Sequence, residues 1–278
     1  MKETSNSVIS VTRDERLTSA PNSKGNQIKW RTRDGYWLKA DDLGYEGLAE
    51  TAAAQLLRNS NILHFAWYDI CTIHEEDVEY RGCVSKDFLS EGEQLFTLYR
   101  LYEANGLDPY FEFDGKSALQ RLSGLIDSVT EWTSLAEFGT WIGRLLEFDA
   151  FILNEDRHLQ NIAVIQKPDE SFRLMPVFDN GAAFLSDTRR DYPLTASATR
   201  LMDKVKSKPI VTSFDKQLGA VREVVGLSLK FRENYEINLS SNESYDPREI
   251  NRVNEILGIQ SKRYPYLFDD SDSTTLFT

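Results

Sequence analysis

The reading turns on Phe151-Ile-Leu-Asn-Glu-Asp156-Arg157-His158-Leu-Gln-Asn161-Ile-Ala-Val-Ile165, followed by Leu174-Met-Pro-Val-Phe178-Asp179-Asn180-Gly181. Apolar residues at helical spacing (Leu135, Phe138, Ile142, Leu145, Leu146, Ala150) lead into a polar loop that carries Asp156 and Asn161. Ile162 to Ile165 and Leu174 to Phe178 flank the turn-rich Lys167-Pro168-Asp169-Glu170, which predicts a β-hairpin. The hairpin returns the chain to a second carboxylate, Asp179, so three oxygen-bearing side chains can converge. Phosphoryl transfer from ATP needs such a set: one carboxylate to orient the nucleophile and take its proton, plus an amide and a carboxylate to hold the hard cation Mg2+ against the phosphates. Taken singly, each of these residues suits an ordinary loop, and Asp-Asn-Gly suits a turn. The conjunction decides, because very apolar flanks bury the elements beside the loop and deliver its polar groups to the ends of buried structure.

Upstream, the pattern is β-rich. Ser7 to Thr12 reads as a strand, and Gln27 to Arg33 with Tyr36 to Ala40 flank Asp34-Gly35 as a hairpin. Tyr45 to Arg58 repeats apolar residues at helical spacing, and Phe65 to Ile73 with Val78 to Phe88 predicts a second hairpin around Glu75-Glu76-Asp77. Beyond Glu91-Gly92 helices dominate: Gln94 to Ala104, Ser117 to Thr130, Ser134 to about Leu153, Phe214 to Val225 and Asp246 to Leu257. The expected class is α+β, with a small β-rich lobe with one helix over residues 1–90 and a larger α-helical lobe over 91–278. The polar lead before residue 25 and the tail 269–278 read as irregular.

The 278 residues are 41% apolar and 27% charged, enough for a large core. A net charge of -12 argues against direct binding of nucleic acid. No run approaches a membrane span and the start has no signal-peptide pattern, so a soluble, cytoplasmic chain is expected. Two cysteines, Cys71 and Cys83, read as buried thiols facing each other across the second hairpin. With three histidines, His64, His74 and His158, no spacing suggests zinc.

Asp156, His158 two residues on, Asn161 five residues on, and Asp179 at the end of a short apolar strand resemble the catalytic and metal loops of the HipA-like serine/threonine kinases, bacterial members of the protein-kinase-like superfamily. The Asp-Arg-His and following Asn also look like the loop of phosphatidylinositol kinases. The resemblance runs from about Gly25 onward and lacks the N-terminal subdomain of longer HipA proteins. It implies a bilobal protein-kinase-like fold and ATP and Mg2+ as cofactors, with Asp156 as catalytic base and Asn161 and Asp179 as metal ligands. A protein substrate is implied, and an antitoxin-type partner is possible in a toxin–antitoxin pair. A lipid or small-molecule acceptor, or a nucleotide-binding module without turnover, are the alternatives.

Such a kinase needs a strand lysine for the phosphates and a helical glutamate to hold it. Lys39 and Glu50 occupy those places, with Glu46, one turn earlier, as a competitor for the lysine. Gly25, Gln27 and Lys29 resemble the family's short Gly-x-Gln-x-Lys phosphate loop, for which a flexible turn is the alternative; Ser23 beside it is a candidate autophosphorylation site. His158 would pack against the loop or touch phosphate, and Arg157 reads as structural. Val84 to Phe88 would be the hinge between lobes. Asp-Asn-Gly replaces the usual Asp-Phe-Gly, and no Ala-Pro-Glu segment follows. Trp132 and Trp141 read as core, and Lys204, Lys206 and Lys208 as a solvated loop or an anion-facing cluster.

Overall fold

The computed structural model describes residues 7–17, 27–232, 237–239 and 244–268. Strands β1 (Ser7–Val11), β2 (Lys29–Arg31), β3 (Tyr36–Ala40), β4 (Tyr68–Glu75) and β5 (Val78–Lys86) form one sheet in the order β1-β4-β5-β3-β2. All neighbours are antiparallel except β1 beside β4. The hairpin at Asp34-Gly35 closes with Gly35 at φ 84°, a value glycine adopts without strain. Helix α1 (Glu46–Arg58) crosses the face of this sheet. Its approach depends on Gly47, where a side chain would come within 2.8 Å of the Gly82 backbone; Gly82 in turn lets β5 lie against β3, since a side chain there would meet the Lys39 carbonyl.

The rest of the chain holds β6 (Gln94–Thr97), α2 (Leu98–Ala104), α3 (Pro109–Phe113), α4 (Ala118–Thr133), α5 (Phe138–Ile152), β7 (Ala163–Gln166), β8 (Phe172–Leu174), α6 (Ala198–Met202), α7 (Phe214–Val224) and α8 (Pro247–Arg263). Among the described residues, β1 to β5 and α1 precede residue 90, and the other α-helices follow it together with a second, three-stranded sheet in the order β6-β7-β8. One apolar cluster runs from Leu48, Ala52 and Leu56 of α1 through Ile142, Leu145 and Phe148 of α5 to Val253 and Ile256 of α8, so α1 joins the two parts. The opposite face of the five-stranded sheet has its own cluster around Trp30, Leu38 and Ile73. No helix among the described residues is long and apolar enough to cross a membrane.

Three expectations are corrected. Gln94 to Thr97 is a strand, because it pairs with β7; Thr97 then caps α2, its hydroxyl accepting the Arg100 N–H. The helix expected from Ser134 starts at Phe138, since Ser134 sits at φ 59° and ends α4. Cys71 and Cys83 do not face each other: Cys83 pairs with Ile70, so its neighbour Cys71 points to the other face of the sheet. In addition, the hairpin's second strand is Phe172–Leu174, while Val177 makes a bridge to Phe65. Trp132 and Trp141 are partly buried against the main cluster.

Candidate active site

Pairing in the first sheet aims Lys39 at the face covered by α1, because it lies opposite Cys83 and Lys29 and between Leu38 and Ala40, which are buried in the cluster on the opposite face. Its ammonium is held above the ring of Tyr68, 5.1 Å from the centroid. Helix α1, brought close by Gly47, presents Glu50 to it: Lys39 Nζ lies 2.6 Å from Glu50 Oε1 and 2.6 Å from Asp179 Oδ1. Glu46 is not the lysine's partner. It accepts the backbone N–H groups of Leu43 at 2.6 Å and Gly44 at 3.0 Å, closing the turn into α1.

Asp179 has φ 60°, a left-handed conformation that costs a non-glycine residue about 1–2 kcal/mol. The backbone on both sides is clamped. Arg157 Nη1 donates to the Phe178 carbonyl at 2.6 Å, and the Asn180 N–H donates to Glu50 Oε2 at 2.8 Å. Upstream, Val177 exchanges backbone bonds with His64 and Ala66. Glu50 therefore fixes the lysine with one oxygen and the segment after Asp179 with the other.

The loop after α5 is fixed in the same manner. Leu153 ends the helix at φ 57°, and Gln260 of α8 donates to the last carbonyls, Ala150 and Phe151. Arg157, wholly buried, grips both Asp149 oxygens through Nε and donates to Asn180 Oδ1 at 2.6 Å. The first N–H groups of α2, Leu98 and Tyr99, bond the carbonyls of Ile162 and Leu159. Asn161 Nδ2 donates to the Asp156 carbonyl at 2.8 Å, which closes the loop on itself and leaves Oδ1 as its acceptor.

These elements open into a cleft of about 580 Å³, including its mouth, walled by Gln27, Lys29, Glu46, Asp156, Asn161 and Asp179. Lys39 and Glu50 are buried behind Asp179, 7% and 1% exposed. Burial alone raises the Asp179 carboxyl, but the charges of Lys39, Lys29 and Arg157 outweigh it and hold the group well below the usual carboxylate range. For Lys39, burial favours loss of the proton while Asp179 and Glu50 overcome it, so the amine stays charged.

Asn161 Oδ1 and Asp179 Oδ2 suit a hard cation, and the second group is kept ionised. Among the described residues no group of three or more His, Cys, Asp or Glu side chains could hold a metal by itself. Two protein oxygens, with the remaining places taken by water and phosphate, are the coordination Mg2+ favours in nucleotide sites.

His158 does not line the cleft itself. Its Nδ1 accepts the Gln160 N–H at 3.2 Å, its Nε2 lies 3.8 Å from Asp156 Oδ1, and its ring lines a second cavity. Gly25 and Ser23 lie outside the described residues. In the hinge segment, Val84 to Lys86 pair within the sheet, the Asp87 N–H bonds Gly35, and the Phe88 carbonyl accepts from Arg173.

The crystal structure of a Helicobacter pylori proinflammatory kinase, CtkA, matches with a TM-score of 0.61 and 14% identity, over 92% of this chain and 95% of that one. The fold is kinase-like. No family model and no curated protein matches the sequence.

Within this kinase-like frame Arg157 has the structural part the sequence suggests, while sequence reasoning underrated Lys208 and passed over Asp149. Lys208 Nζ lies 3.0 Å from Asp156 Oδ1. Asp149 carried a signal, a carboxylate inside the apolar run Phe148 to Ile152; so did Asn180, whose side chain is the partner of Arg157 where the usual motif has phenylalanine. The sequence marks Lys208 only as one of three loop lysines, because its partner is 52 positions away.

Proposed function

We propose that this chain is an ATP- and Mg2+-dependent kinase of the HipA-like type, phosphorylating a serine or threonine hydroxyl of a protein. The observation that carries the reading is the Lys39 ammonium held 2.6 Å from both Glu50 and Asp179, with Asp156 and Asn161 on the wall of the same cleft. In this reading Lys39, braced by Glu50, binds the nucleotide phosphates, and Gln27 and Lys29 line their entry. Asn161 and Asp179 hold Mg2+, which supplies charge neutralisation across the phosphates. Asp156, on the wall of the same cleft, orients the acceptor hydroxyl and takes its proton.

Lys39 also balances Asp179 in the resting site, keeping a half-buried carboxylate paired until other positive charge reaches it. Protein is the preferred acceptor class because a net charge of -12 opposes stable docking on anionic membranes. The test is phosphate transfer from γ-labelled ATP, to the chain itself and to generic protein acceptors, by wild type, Asp156→Ala and Asp179→Ala. Loss of either carboxylate should lower the rate by about 10²-fold or more. Equal incorporation in all three proteins overturns the proposal.

A further inference from the structure

Lys208 occupies a place that the roles above leave unassigned. Its side chain is 44% exposed, yet its ammonium reaches Asp156 Oδ1, whose own side chain is 13% exposed. An exposed lysine pays side-chain entropy to stay in one place, so the question is what holds it. The surrounding segment is built in. Ser207 is fully buried and its hydroxyl bonds the Val211 carbonyl; the Ile210 N–H bonds the buried Gln217 of α7; and Arg121 of α4 donates to the Ile210 carbonyl. Lys204 and Lys206, on the same segment, are exposed and make no ion pair among the described residues.

Location supplies the second argument. Asp156 walls the cleft assigned to the nucleotide, while Lys208 walls the second cavity with Tyr110, Phe113, Asp114, His158 and Pro209. The ion pair therefore stands at the seam between the two spaces. A phosphoryl group passing from nucleotide to acceptor must cross that seam beside Asp156, and its equatorial oxygens carry negative charge toward a carboxylate. Arg157 is fully buried in its own bonds, while Lys39 and Lys29 are assigned to the nucleotide phosphates. Among the described residues, Lys208 is the cation in contact with Asp156.

The geometry points to Lys208 as a further catalytic residue, one that bridges Asp156 and the phosphoryl group in flight, with the cavity beside it receiving the acceptor. This rests on the kinase reading. Three donors on one ammonium permit the bridge: one stays on Asp156 Oδ1 while another meets a phosphoryl oxygen. In the transfer, an acceptor oxygen lone pair forms the new P–O bond as the bond to the ADP oxygen breaks and its electron pair leaves with ADP. The acceptor proton goes to Asp156. Lys208 gives only hydrogen bonds and keeps its protons, and its stabilisation is greatest where the charge is most spread.

The test compares wild type, Lys208→Ala and Lys208→Arg by calorimetric binding of ADP with Mg2+, with and without aluminium fluoride as a mimic of the phosphoryl in flight, alongside kcat and KM for labelled ATP. The exposed side chain can be removed without opening the core, and the thermal transition of each variant checks that it folds. The expected result is an ADP affinity and an ATP KM within twofold of wild type in Lys208→Ala, with fluoride-dependent tightening and kcat both reduced about 10²-fold. Lys208→Arg should recover a substantial part of both. A Lys208→Ala protein that tightens on fluoride as wild type does overturns the role of Lys208 and leaves the kinase reading intact. A wild type that binds no ADP with Mg2+, or does not tighten on fluoride, overturns the two together.

Discussion

Replacing Glu50 by glutamine separates the two tasks of this side chain from its shape. The carboxylate makes two charge-assisted contacts, 2.6 Å to Lys39 and 2.8 Å from the Asn180 N–H, in a site where it is 1% exposed. An amide has one acceptor end. Turned so that its oxygen meets Lys39, it sets an NH2 against the Asn180 N–H; turned the other way, it sets that NH2 against the ammonium. Weakening the retained bond from charged to neutral costs about 1–2 kcal/mol, and the orphaned buried donor about 1–3 kcal/mol, so the loss of stability is about 2–5 kcal/mol. Lys39 keeps Asp179 at 2.6 Å, which spares the larger penalty of an unpaired buried charge. Urea unfolding at unchanged m reads the stability, and labelled-ATP transfer in native buffer reads the activity. Activity should fall further than stability alone explains, about 10²-fold, because Lys39 is left to Asp179 with nothing to aim it at phosphate. A Glu50→Gln protein within about 0.5 kcal/mol of wild type, the spread of ordinary surface changes, refutes this account of the triad.

Two other consequences follow from buried charge. Arg81 on β5 binds Asp41 at 2.8 Å, Glu249 of α8 at 2.8 Å and the Gly44 carbonyl, over the ring of Tyr245, so Arg81→Ala leaves two buried carboxylates without their cation; unfolding should be easier by about 3–5 kcal/mol, and a change under 1 kcal/mol contradicts the strap between sheet and α8. Burial, reinforced by Lys208 and opposed by Asp156, holds the His158 imidazole below its ordinary value. The unfolded chain then takes up this proton at a higher pH than the folded one, so the group costs stability as pH falls below the ordinary histidine value and costs nothing above it. In Lys208→Ala the His158 titration, followed by NMR without added metal, should move up; an unmoved titration places the ammonium away from the ring.

Much of the architecture was legible because its signals are local. Asp34-Gly35 announced a hairpin, the apolar stripe from Leu48 to Leu57 announced α1, and the apolar flanks of Asp156 and Asp179 announced buried supports. The α+β class followed from that order of patterns, and the solved kinase structure shares it. The preference for Glu50 over Glu46 matches the geometry, since Glu46 spends its oxygens on the turn at Leu43 and Gly44. What stayed hidden depends on long-range contact. Gln94 to Thr97 carries a helical period, and pairing with β7 overrides it. The cysteines seemed symmetrical about their turn until register put them on opposite faces. Arg157 reads as structural, but its partners stayed hidden because they come from two distant segments, Asp149 in α5 and Phe178 with Asn180 after β8.

The central claim is that Asp179 and Asn161 join a metal to a triphosphate held by Lys39. Calorimetric titration of ATP, with and without Mg2+, into wild type and Asp179→Asn tests it most directly. The account predicts that Mg2+ tightens binding to wild type by tenfold or more and has little effect on Asp179→Asn. The same dependence on Mg2+ in both proteins, or none in either, contradicts it.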